Sequence, residues 1–194
     1  LELNFQSGAL LKGPEQSMNM GEEFLERSRY YLATEYITKL RHCAAALPEE
    51  AVWRRAHESS NSIGNLLVHL TGNVRQWIVE GVGGTQVERD RASEFSRRDG
   101  GNAAELVQDL ADAVAECSKV IASLTPADLE RKCTIQGRDT TVLGAIYHVV
   151  EHFAMHTGQI VLLTKQYAPA QISFYDDSGW IAKPKWGGSE RMWP

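Results

Sequence analysis

Three of the chain's six histidines recur at a spacing of four in "YHVVEHFAMHTGQI", residues 147–160: His148, His152 and His156. On a helix, residues four apart are offset by about 40° around the axis and about 6 Å along it. His152 and His156 can therefore turn their rings toward one point, an arrangement suited to chelating a transition metal. His148 and His152 satisfy the same geometry. The three do not readily share one ion, because His148 and His156 are separated by about 12 Å along the axis. A third ligand must come from another element, and His69 in "SIGNLLVHLTGN" offers it from an apolar helix face. A lone imidazole there would read as a core histidine bonded to a carbonyl; facing an HxxxH pair, it reads as a ligand. Three neutral imidazoles leave room for water or substrate, the pattern of a catalytic rather than a closed structural site.

Other residues near the histidines fall into lesser roles. Asn65 sits one turn before His69, and Gln159 three residues after His156; either can orient a ring or a bound water. Glu151 adjoins His152 but faces about 100° away, toward solvent or a salt bridge. His42 and His57 lie at or near helix ends and read as surface residues.

The elements that must hold this group are helices. Four long segments carry a helical period, and nothing of comparable length alternates with period two. The first spans about Glu22 to Leu47, with Phe24, Leu25, Tyr31, Leu32, Tyr36, Ile37 and Leu40 as its stripe and Pro48 as its stop. The second starts at Ser62, a plausible N-cap, and buries Ile63, Leu66, Leu67, Leu70, Val74, Trp77 and Ile78 before "GVGG" ends it. Residues 81–101, rich in Gly, Arg, Asp and Ser, read as a surface loop, and "GVGGTQ" lacks the lysine of a phosphate loop. The third runs from Asn102 to Leu124, and "TPADL" adds a short helical turn. "ERKCTIQGRD" reads as a polar link to the fourth, Thr140 or Thr141 to about Tyr167, where Leu143, Ile146, Tyr147, Val150, Ile160, Leu163 and Thr164 surround the histidines. Four such helices predict an all-α four-helix bundle, an architecture that commonly assembles metal sites between facing helices.

The flanks are different. Residues 1–17 contain "NFQSG", which resembles the remnant of an engineered protease site, so this stretch is expected to be a vector-derived or flexible leader, with Met18 as the natural start. Residues 168–194 hold Phe174, Tyr175, Trp180, Trp186 and Trp193, and are expected to strap over the bundle or a second subunit.

Composition excludes several function classes. A net charge of −5 argues against a general nucleic-acid or anionic-membrane binder, which needs a basic face. Apolar runs are too short for a membrane span. Cys43, Cys117 and Cys133 are odd in number and contain no CxxC pair, so neither a disulfide framework nor a zinc knuckle is indicated, and a reducing cytoplasm suits them.

The segments "SIGNLLVHLTGNVRQWI" and "AIYHVVEHFAMHTGQI" resemble the two signature segments of the DinB-like superfamily, and within it a bacterial branch of unknown function. The resemblance covers about residues 18–167 and implies a four-helix bundle of DinB-like type. It places the metal ligands on His69, His152 and His156, and leaves His148 to packing or to hydrogen bonding around the site. Here "HTGQ" replaces the common "HRGQ", so any anion contact made by that arginine is lost at Thr157. Zinc and nickel both suit imidazole ligands. The resemblance further implies a thiol-dependent S-transferase or a metal-dependent hydrolase acting on a small molecule, and a homodimer. Since no cysteine lies near the motifs, the nucleophile is expected from outside the chain, as a low-molecular-weight thiol or water.

Other readings compete with this one. "HVVEH" also fits the H-x-x-E-H pattern of inverzincin peptidases with Glu151 as base, which would leave His69 and His156 idle. The bundle could instead bind metal without catalysis, as a sensor, store or stress-response protein. Finally, the histidines could form a hydrogen-bonded cluster with no metal.

Overall fold

The computed structural model describes residues 19–169, 172–176 and 183–185. Helix α1 covers residues 20–46 and passes through a π-helical stretch at Tyr31–Tyr36. Asn19 caps it reciprocally with Glu22, satisfying donors that the first turn leaves free. Helix α2 covers residues 63–80, with a second π-helical stretch at Arg75–Glu80. Its cap is Ser62, paired with Asn65. Gly64 in its first turn lies under the Trp53 indole, where an added Cβ would come within 2.7 Å of the ring. Helix α3 is short, Arg91–Ser96, and is capped by Asp90. Helix α4, Ala103–Ala122, starts at an Asn102–Glu105 capping box, and a 3-10 turn at Pro126–Glu130 follows it. Strands β1, Lys132–Ile135, and β2, Arg138–Thr141, then form an antiparallel hairpin leading into α5, Val142–Tyr167. A second small pairing joins β3, Tyr175–Asp176, to β4, Lys183–Pro184.

The four long helices form the expected all-α bundle, and the helical stripes supply its core: every apolar position expected on α2 is buried. The first two long helices, α1 and α2, are not neighbours, however, and neither are the last two, α4 and α5. Both α1 and α2 pack chiefly against α4 and α5 rather than against each other. This order places α2 beside α5, and so brings His69 to the face that carries His152 and His156.

Three local expectations change. Residues 81–101 are not loop throughout, because α3 forms within them. Its six residues are too few for a stripe to register, and bonds from elsewhere hold it: Asn65 Nδ2 donates to the Glu94 and Arg97 carbonyls, and Arg55 Nη2 to those of Phe95 and Arg97. The polar link is a hairpin, turned by Gln136 and Gly137, both at positive φ (54° and 72°). On α5, Leu143 and Tyr147 face solvent, while Ile146 is buried as expected and Val142, Ala145, Val149 and Phe153 join it in the core. The expected leader falls outside the described residues, as do Trp180, Trp186 and Trp193; of the aromatic segment, Phe174 is buried against the bundle.

The caps carry a measurable share of the stability. Asn102→Ala leaves the Glu105 amide of α4 without its side-chain acceptor and is expected to cost about 1 kcal/mol in urea unfolding, with an unchanged m-value.

Candidate metal centre

His69 projects from the buried face of α2, and His152 and His156 from successive turns of α5. One nitrogen from each ring falls in a group whose members all lie within 4.8 Å of one another. The His69 and His152 Nε2 atoms face each other at 2.9 Å. The His152 and His156 rings meet edge to face with centroids 4.4 Å apart, and those of His69 and His156 at 5.3 Å. A tetrahedral ion with metal–nitrogen bonds of about 2.0–2.1 Å needs ligand nitrogens roughly 3.3 Å apart. The observed group is within small side-chain adjustments of that spacing.

Each outer ring nitrogen bears on which inner nitrogen is free. His69 Nδ1 lies 2.8 Å from Glu94 Oε2; the carboxylate can only accept, so Nδ1 carries the proton and Nε2 keeps its lone pair toward His152. His156 Nδ1 lies 2.7 Å from Gln159 Oε1, which leaves Nε2 as its free nitrogen. Gln159 thus makes the ring contact that its spacing suggests.

Asn65 makes no side-chain hydrogen bond to the His69 ring. Its side chain is used by Ser62, Arg55 and the carbonyls of Glu94 and Arg97, so it reaches the site only through the segment that carries Glu94. His148 lies outside the three-residue group; its ring packs on Trp77 at 4.1 Å between centroids and stacks on His152 at 5.3 Å. Glu151 is exposed, and so are His42 and His57. An H-x-x-E-H reading would need His148 at the centre and His156 outside it, the reverse of this arrangement.

Three residues around His69 were not singled out from the sequence. Glu94 and Phe95 come from α3, and Arg89 from the segment before it. Arg89 Nε and Nη2 donate to the two Glu94 oxygens at 2.6 and 2.9 Å, and Arg89 Nη1 donates to Gln76 Oε1 at 2.7 Å. The Phe95 ring packs on His69 at 4.7 Å. Asp90 before "RASEF" is a helix-start signal, but nothing local shows that Glu94 turns inward.

Burial disfavours the charged forms of the three histidines on α5. Burial, with His156, His69, His148 and Arg89 nearby, pushes the His152 pKa down to about 3. Burial also lowers His156 and His148. Burial alone would raise the Glu94 carboxyl, but the hydrogen bonds and charges of Arg89 and His69 outweigh it and hold the group below its ordinary value. All four shifts are downward, so each group takes up protons more readily in the unfolded chain. The stability they contribute is complete above the ordinary histidine value and is lost as pH falls toward the folded values. The metal-free protein is therefore expected to show a steady fall in its urea midpoint between about pH 7 and pH 4, and His152→Gln to flatten the slope.

The bundle that carries a histidine on α2 and an HxxxH pair on its last long helix matches a family model and shares its fold with two solved structures. Residues 19–174 match the model of DUF1572, a family of proteins of unknown function, and the chain belongs to that family. Its fold is shared with YfiT from Bacillus subtilis, described as "a probable metal-dependent hydrolase with an unusual four-helix bundle topology": TM-score 0.60, 12% identity, covering 80% of this chain and 93% of that one. It is shared also with the DinB-like protein YjoA from Bacillus subtilis, with TM-score 0.58 and 16% identity, covering 77% of this chain and 96% of that one. No curated protein matches the chain. Among the described residues no helix is long and apolar enough to cross a membrane.

Proposed function

We propose that this protein is a metal-dependent enzyme that holds a divalent transition metal, zinc or nickel, on His69, His152 and His156. The observation that carries the reading is the convergence of three ring nitrogens from two helices, two of the rings having their outer nitrogen bonded elsewhere. The donor set fits such an ion: burial disfavours the charged forms of His152 and His156, so these two bind without first having to release protons. When bound, the metal lowers the pKa of a water or thiol sharing it and provides a nucleophile near neutral pH.

The chain's own residues do the rest. Glu94 and Gln159 fix ring orientation, and Phe95 and Trp77 cover the histidines with apolar surface. Burial pushes the Cys117 thiol up to about 12, and it raises Cys43 and Cys133 as well. None of the three is therefore an internal thiolate at neutral pH, and this supports an external nucleophile: water for a hydrolase, a low-molecular-weight thiol for an S-transferase. The hydrolase version is supported by the description of YfiT. A cytoplasmic homodimer belongs to the same proposal. Exposed Leu143, Tyr147, Met155 and Leu162 on α5 support the pairing, which light scattering tests.

Metal analysis of protein purified without a nickel column, followed by assays of ester, amide and thiol-conjugation substrates, tests the enzyme reading. One equivalent of metal and turnover that is lost with a chelator is the expected result. Metal without turnover on any substrate class would favour a non-catalytic metal-binding or stress-response protein, and protein that takes up no metal would leave only a hydrogen-bonded cluster.

A further inference from the structure

We propose that Glu94 is a positioning residue for the metal, acting through His69 and held in that outer role by Arg89. The inference rests on the metal-binding reading above. It goes beyond that reading in assigning work to a segment, residues 89–95, that contributes no ligand.

Glu94 approaches His69 from the side opposite the other histidines. Its Oε2 accepts from Nδ1, while Nε2 of the same ring faces His152. The carboxylate thus selects the tautomer that keeps the Nε2 lone pair free, and it fixes the rotation of the ring about its own axis. A buried carboxylate beside a metal site could instead swing round and ligate the ion. Here both oxygens are engaged by the Arg89 guanidinium, at 2.6 and 2.9 Å, in a two-pronged grip that resists rotation. Arg89 Nη2 also lies 3.3 Å from His69 Nδ1; since Nδ1 is itself a donor, the two groups share the Oε2 acceptor rather than bond each other.

The segment is anchored from two further directions. Arg89 Nη1 donates to Gln76 on α2, and Gln136 at the hairpin tip donates to the same Gln76 oxygen. The backbone of Glu94 is tied to α2 through Asn65. Glu94 and Arg89 side chains are about 5% and 4% exposed, so water does not compete for these bonds. A chain of hydrogen bonds therefore runs from the hairpin through Gln76, Arg89 and Glu94 to the ring nitrogen opposite the metal.

The test measures zinc affinity by competition with a chromophoric chelator, together with the His69 tautomer by long-range proton–nitrogen-15 NMR. Wild-type protein is expected to bind zinc with His69 protonated at Nδ1. Glu94→Ala is expected to weaken zinc binding by about 10–100-fold, and to remove the fixed tautomer in the zinc-free protein. Glu94→Gln retains an acceptor oxygen and is expected to lose less, with the Nδ1 proton kept; it also carries the test should the alanine variant fail to fold. A purely structural role would change the urea midpoint and leave the tautomer alone. Folded variants that hold zinc within twofold of wild type, or a wild-type His69 protonated at Nε2, would overturn this inference alone. Wild-type protein that takes up no zinc would overturn the proposed function, and this inference with it.

Discussion

Replacing His152 with alanine is expected to weaken zinc binding by roughly 10²–10³-fold or more while leaving the helical circular dichroism unchanged. The magnitude follows from the free energy of zinc binding to four-ligand sites, about 10–16 kcal/mol, which is about 2.5–4 kcal/mol for each ligand. His152 is the central member of the group: its Nε2 lies 2.9 Å from that of His69, and its ring contacts that of His156. His69→Ala and His156→Ala are expected to lose affinity on the same scale. His148→Ala is the control. Its ring packs on Trp77 and lies outside the three-residue group, so affinity should change by only a few-fold. Zinc competition across the four variants decides the matter. Loss with His148→Ala and retention with His156→Ala would restore the peptidase-like pairing and sink the present assignment.

The second large effect is on stability. Phe153 stands between the two α5 histidines in sequence, yet it points into the bundle, fully buried and with its ring 6.4 Å from that of Tyr36. Phe153→Ala removes the largest fully buried side chain among the described residues and leaves a cavity that a packed helix interface closes only in part. The expected loss is about 3–5 kcal/mol, a large fraction of the 5–15 kcal/mol typical of a domain. Urea unfolding of the metal-free protein should show the midpoint fall with the m-value retained. Saturating zinc should raise the midpoint of the variant and of wild type alike, because an ion that binds only the folded state stabilises both by mass action. A Phe153→Ala protein with an unaltered midpoint would mean that α5 is not packed as described.

Taken together, the two substitutions separate the two faces of α5. One side of the helix, from Val142 through Val149 and Phe153 to Ile160, holds the bundle together. The next, from His152 to His156, meets α2. A single 26-residue helix can serve both because its period of 3.6 places them on adjacent stripes.

What the amino-acid sequence determined is what depends on local order. The caps at Ser62 and Asn102 and the 3.6-residue stripes set the four helices to within a turn, because capping and amphipathic burial act over a few neighbouring positions. The HxxxH spacing likewise fixed which rings could share a point, and left open only which pair and which partner. Gln159 was legible for the same reason, three residues from the ring it bonds. Tertiary structure decided the rest. The placement of α2 beside α5 brings together His69 and His152, 83 residues apart, and no local rule specifies that crossing order. Leu143 and Tyr147 carried the right residue types for a core but fell on the outer face of α5, where the neighbouring helices do not reach. Helix α3 and the hairpin were missed because they are held by bonds from distant residues, among them Asn65, Arg55 and Gln76. Glu94 shows the difference most clearly. As a lone carboxylate in a polar stretch it reads as solvated. Only the fold, by burying it between Arg89 and His69, makes it an ordered anion behind the His69 ring.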